Sequence, residues 1–207
     1  MVIEPTAKAL YDGCGGALCL DFVNTANRRP GLPWKDKLGG YPDLVLWSVQ
    51  AGTVSDEKSR KLAQAARADP AGARSVLERA RALREASYRA FHALEHGRSP
   101  APADLRALNA ELAAALAHAR VEPGAEGFVW GWQRAPLALD EPLWPIARST
   151  AELLTSPEVA RVRGCASERC FWLFVDRSKN RSRRWCEMKS CGNRAKARAH
   201  RRRMRQA

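Results

Sequence analysis

The stretch "CASERCFWLFVDRSKNRSRRWCEMKSC", residues 165–191, decides how the C-terminal part of this chain folds. Its cysteines follow the spacing Cys165-x4-Cys170-x15-Cys186-x4-Cys191. Two short cysteine loops about fifteen residues apart match the plan of a structural zinc site. A four-residue gap is wider than the common two-residue knuckle, yet it lets both sulfurs converge on one ion. Four thiolates in tetrahedral geometry favour a single Zn²⁺, with an iron–sulfur cluster as the alternative. They leave no position for water, so the site is expected to be structural rather than catalytic. Between the pairs, Phe171, Leu173 and Val175 would face one side of a strand, and Trp172 and Phe174 the other. Asp176 to Asn180 would turn the chain, and "RSRRWC" would return as a second strand. The expected plan is treble-clef-like: knuckle, β-hairpin, knuckle and then a basic helix.

Charge points to the same segment. The chain of 207 residues carries a net +13. Residues 161–207 hold sixteen Lys/Arg against three Asp/Glu, while residues 1–160 hold nineteen of each and balance. Clustered cations gain by displacing the counterions around phosphates, so a polyanion is the expected partner. So short and self-repelling a segment could hardly fold by apolar burial alone. Structural zinc can supply on the order of 10 kcal/mol to such a module. The terminal helix would present Lys196, Arg198, Arg201, Arg202, Arg203 and Arg205, with Ala195 and Ala199 as a small face against the hairpin. Arg181, Arg183, Arg184 and Arg194 would add phosphate contacts.

Outward from there, 45% hydrophobic and 28% charged residues describe a globular chain. No run approaches the roughly 18 apolar residues of a membrane span, so no membrane role is expected. The first residues lack a basic start followed by an apolar run, which predicts a cytoplasmic, nucleoid-associated protein without a signal peptide. "GGALCLDFV" (15–23) reads as a short apolar strand or turn. Helical patterns dominate thereafter. Ser55 caps "DEKSRKLAQAARA", and Asp69-Pro70 opens a long helix running towards Gly97. Leu105, Leu108, Leu112 and Leu116 suggest a core-facing stripe. Phe128, Trp130 and Trp132 alternate as a strand does, and the apolar run after them is its expected hairpin partner. Asp140 opens the next helix. The expected class is α+β: a mainly helical domain with a short β-hairpin over 1–158, then a small zinc finger over 159–207.

"WCEMKSCGNR" (185–194), preceded by "FVDRSKNRSRRW" (174–185), resembles the CGNR zinc-finger family, named for the Cys-Gly-Asn-Arg at 191–194. "LCLDFVNTANRR" (18–29) resembles the opening of the ABATE domain that usually precedes that finger. The resemblance implies a bacterial, stress-related, DNA-binding transcription regulator. It places Cys165, Cys170, Cys186 and Cys191 at the metal positions and Arg194 at the arginine of the name.

Double-stranded DNA is thus the expected partner. An RNA-binding or ribosome-associated protein is the first alternative and a zinc-stabilised protein-interaction module the second. The N-terminal domain is expected to sense a signal, with an unidentified small-molecule effector, or to form a homodimer. An enzyme is not expected, because H-E-x-x-H, G-x-S-x-G and the Walker loop are absent from the sequence. His92 and His96 stand at metal-capable spacing but lack a third ligand, so a polar helix face is the simpler reading. Asp21 and Asn24 are candidates for lining a ligand pocket, with capping or turn roles as the alternative. Cys14 and Cys19 read as ordinary reduced residues.

Overall fold

The computed structural model describes residues 9–27, 35–133, 136–168 and 170–204. A helix of 26 residues, α4 (Pro70–Glu95), is the axis of the molecule. Asp69 starts it by accepting from the Gly72 N–H at 2.8 Å, and Pro70 occupies the first turn, where no intrahelical N–H is needed. Val76, Leu77, Ala80, Leu83, Ala90 and Phe91 recur at helical spacing and are buried. Before it come α1 (Leu18–Val23), α2 (Tyr41–Gln50) and α3 (Asp56–Ala68). After it come α5 (Pro102–Leu116) and α6 (Trp144–Thr155), both packed with α4. The strands β1 (Ala26–Asn27) and β2 (Lys35–Asp36) form one antiparallel pair. The others are β3 (Ala119–Gly124) with β4 (Gly127–Trp132), and β5 (Val162–Gly164) with β6 (Leu173–Val175).

The segment expected to be a strand or turn at 15–23 is α1, a helix buried on every side. Periodicity cannot separate a short buried helix from a buried strand, since both read as a continuous apolar run. Phe22 meets Trp47 edge-on at 5.2 Å in the main core. Cys19, Leu20 and Val23 face the other way, against Phe91, Leu153, Val162, Leu173 and Val175. The body and the cysteine-rich segment therefore share one apolar cluster.

The expected stripe on α5 is shifted. Leu108 is buried, but Leu105 and Leu116 are exposed, while Asp104 and Ala115 turn inward. Asp104 does so because Arg89 donates to its carboxylate at 2.6 Å, and an alanine lets α5 approach its neighbours closely. The partner of β4 is also different: it pairs with β3 before it, not with the apolar run after it.

Arg84, fully buried on α4, donates to both oxygens of Asp36 at 2.7 Å and to the Thr25 hydroxyl at 3.1 Å. It ties β2 and the turn after α1 to the central helix.

Two bridges lace β6 to the N-terminal segment. The Asn24 amide donates to the Leu173 carbonyl at 2.9 Å, and its Oδ1 accepts from the Leu173 N–H at 3.0 Å. The Val175 N–H donates to the Gly15 carbonyl at 2.8 Å. Asn24→Ala leaves both buried Leu173 groups unpaired and is expected to cost about 1–3 kcal/mol, read as a lower urea midpoint at constant m-value.

Candidate metal centre and basic surface

The first cysteine pair sits at the tip of the β5–β6 hairpin. Cys165 follows β5 and donates its N–H to the Trp172 carbonyl at 2.9 Å; the Cys170 N–H donates to the Ser167 carbonyl at 2.8 Å, closing the knuckle. Of the second pair, Cys186 precedes and Cys191 lies on a tight helical turn, Met188–Gly192, that leads directly into α7 (Asn193–Met204). The Met188 thioether lies against Gly192, so a side chain there would displace it.

The four sulfurs lie within 4.8 Å of one another. Cys186 Sγ is 3.7 Å from the sulfurs of both Cys170 and Cys191. A tetrahedron with Zn–S bonds of about 2.3 Å has edges of about 3.8 Å, so the donor set fits that ion. Cys170, Cys186 and Cys191 are buried and Cys165 half-buried, packed with Phe174, Trp172 and Trp185. Hydrogen bonds from Cys170 and Cys186 push the Cys165 thiol well down. Its neighbours rise in turn: Cys170 through its bond to Cys165, and Cys186 through contacts with Cys14, Cys165 and Cys170. Crowded thiols oppose one another's ionisation in this way, whereas a divalent cation stabilises all four as thiolates. Cys165, Cys170, Cys186 and Cys191 hold one structural zinc.

The returning segment 181–185 differs from the expected second strand, because β6 already pairs with β5. Instead, the Ala166 N–H donates to the Arg184 carbonyl at 2.8 Å, and the buried Asp176 carboxylate accepts from the N–H groups of Ser178 and Arg183. Arg183, expected on the phosphate-facing surface, turns inward. Its guanidinium lies 4.3 Å from the Phe174 ring and donates to the carbonyls of Cys14, Trp185 and Cys186. With its donors engaged, it is a clip rather than a free cation.

Arg194 also serves the metal site, donating to Cys191 Sγ at 3.3 Å. A Zn²⁺ with four thiolates carries two net negative charges, and a guanidinium beside one sulfur offsets them and orients the ligand. Arg184 is exposed and stacks over Trp185 at 5.4 Å; Arg181 is exposed at a φ of +50°. Lys196, Arg198, Arg201, Arg202 and Arg203 are all exposed along α7, and no carboxylate pairs with them among the described residues. Arg205 lies outside the described residues. Ala195 is half-buried and Ala199 exposed, so the two do not form a packed face. The main packing partner of α7 is the Met188–Gly192 turn, from which it projects.

Asp21 and Asn24, the candidate pocket residues, are engaged inside the fold. Asn24 holds Leu173, while Asp21 accepts from the Gly15 N–H at 2.7 Å and from the Tyr11 hydroxyl. A cavity of about 880 Å³ opens elsewhere, between α2, α3 and α4, walled by Val45, Val49, Ala66 and Leu77 with Arg67 and Arg74 at its margin. His92 stacks on Tyr88 in α4 and lies 4.4 Å from the tilted ring of His96 at the end of that helix, and no third ligand joins the two histidines among the described residues. Cys14 was not legible as part of the finger. Its thiol touches Cys186 from 172 residues upstream in sequence, and nothing local announces such a pairing.

Comparison with known families agrees with this geometry. A model named ABATE, described as "Putative stress-induced transcription regulator", matches residues 16–157. A CGNR zinc-finger model matches residues 161–204. No curated protein matches the chain.

Proposed function

The chain belongs to the ABATE family and carries a CGNR zinc finger; from that premise we propose that it is a transcription regulator whose zinc-ordered finger binds double-stranded DNA through α7. The observation that carries this reading is the helix itself. Lys196, Arg198 and Arg201 to Arg203 stand exposed on an element that leaves the body immediately after the last zinc ligand. A rigid, metal-fixed root holds these cations in one place, which lowers the entropy lost when they meet phosphates. The N-terminal domain, neutral overall, supplies the signal-responsive part, with the cavity between α2, α3 and α4 as its effector site or a second copy as its partner. The reading is of a cytoplasmic, nucleoid-associated binding protein rather than an enzyme, in keeping with a zinc whose four positions are filled by sulfur.

The test is the triple replacement of Arg201, Arg202 and Arg203 by Ala. Affinity for duplex DNA should fall, and the slope of log K against log salt should flatten by about one unit for each phosphate no longer neutralised. Unchanged binding removes α7 from the interface. Preference for single-stranded RNA over duplex DNA at equal salt would move the reading to an RNA-binding protein.

A further inference from the structure

The β3–β4 hairpin offers a surface that the finger does not use. It is a two-stranded sheet with register Ala119↔Trp132, Val121↔Trp130 and Pro123↔Phe128. Directly opposed residues share a face, so these six make one wholly apolar side. At its base Trp132 packs on Trp144 at 5.8 Å, and Arg148 lies over both Trp130 and Trp132. Further out the apolar side has no cover among the described residues: Trp130 is 54% exposed, Val121 65% and Phe128 78%. Isolated two-stranded hairpins are marginal in water, and large uncovered aromatics mark contact surfaces.

The two outer edges are not equivalent. The Gln133 N–H donates to the His118 carbonyl at 2.8 Å, which sets the alternation of the ladder. Phe128, Trp130 and Trp132 therefore occupy the positions whose own N–H and C=O point away from β3. On β3 the same positions are Ala119, Val121 and Pro123. Pro123 has no N–H to offer, and Arg120 and Glu122 flank Val121 on the same strand, so that edge is guarded. The β4 edge, "GFVWGW", has neither charge nor proline.

We propose that β4 pairs antiparallel with β4 of a second copy, about a two-fold axis at Trp130, making a four-stranded sheet and a homodimer. This names the surface for the self-association left open under the function above. Antiparallel pairing of identical strands is two-fold by construction, so it closes at two copies. The apolar side carries no acidic group and a single cation, Arg148, already seated over its tryptophans, which suits a like surface better than a nucleic acid. Residues 1–160 are net neutral, so two bodies meet without net charge repulsion. Edge pairing sets Trp130 beside its symmetry mate and Phe128 beside Trp132 of the other copy, so these side chains cover one another laterally and, with the strand-to-strand hydrogen bonds, make a small interface, below about 1,000 Å².

Sedimentation of the intact, zinc-loaded chain without DNA tests this. The 22.9 kDa chain should run as a dimer as concentration rises from about 1 to 100 µM, the range suited to an interface of that size. Phe128→Lys places a charge on the apolar side. Trp130→Pro removes the outward-facing N–H at the two-fold axis together with the indole that Arg148 covers. Both should be monomeric at every concentration, with unchanged zinc content and circular dichroism. A monomeric wild type, or dimers that persist in the Phe128→Lys chain, would overturn the pairing. A monomeric wild type that still binds duplex DNA would overturn this inference alone and leave the finger reading standing.

Discussion

Cys186→Ser should release the zinc and unfold the finger, and the change should reach into the helical body. Cys186 Sγ is 3.7 Å from both Cys170 and Cys191, so it stands between the two pairs rather than at the rim. Serine at neutral pH offers a protonated hydroxyl, a poor substitute for thiolate on zinc. Apparent metal-binding energies of about 10–16 kcal/mol in finger modules rival the whole stability of a typical domain, about 5–15 kcal/mol. From the sequence alone, the N-terminal helices would be expected to survive this loss untouched. The shared cluster changes that expectation: Val162, Leu173 and Val175 cover Cys19, Leu20, Val23 and Phe91. Stoichiometric zinc by mass spectrometry should fall to background, and the melting temperature of the remaining helical signal should drop too. Full zinc retention would rule out the four-cysteine site. A helical melt identical to wild type would show that the shared cluster is energetically idle.

Arg84→Ala should be the most damaging change outside the finger, at about 3–5 kcal/mol, because it strands a charge whose partner is gone. Arg84 is 1% exposed and grips both oxygens of Asp36. Burial pulls the Asp36 carboxyl upward, but the hydrogen bonds and charge of Arg84, with the Leu38 N–H and Arg81, outweigh it and leave it below the usual range. A lowered folded-state value stabilises the protein above the unfolded carboxylate value near pH 4, and the contribution is lost as pH falls through the lower folded value. In the variant, burial acts with less opposition and the same carboxyl rises. The gap between wild type and variant should therefore be widest near neutral pH and narrow below about pH 4. Urea midpoints across that range measure it, and a gap under about 1 kcal/mol at pH 7 would mean that the ion pair contributes little.

What could be read in advance followed how local each signal was. Ser55 and Asp69 announce α3 and α4 because a cap bonds to a backbone N–H three residues on. The four zinc ligands are legible because their spacing is short and chemically narrow. The edges of the strands were not, because a strand does not carry its partner's address: β4 turns back on β3, and β6 chooses β5 over 181–185. Composition also failed to say which arginines stay free. Arg183 and Arg194 look like their neighbours in sequence, yet one clips carbonyls and the other attends a zinc ligand. The pairing of Arg84 with Asp36 spans 48 residues and has no sequence signature at all.

The bridge from Asn24 to Leu173 spans 149 residues, and it sets a schedule for synthesis. The first helix leaves the ribosome early, but the residues that cover its second side come near the end of the chain. At about 5–20 residues per second, Cys19, Leu20 and Val23 wait roughly 7–30 s for Leu173 and Val175. The four-sulfur site can close only after that, when Cys186 and Cys191 emerge. A nascent chain interrupted before residue 161 would carry a largely apolar helix with part of its cover missing, a ready substrate for chaperones and proteases. Incomplete copies are thereby distinguishable from finished ones.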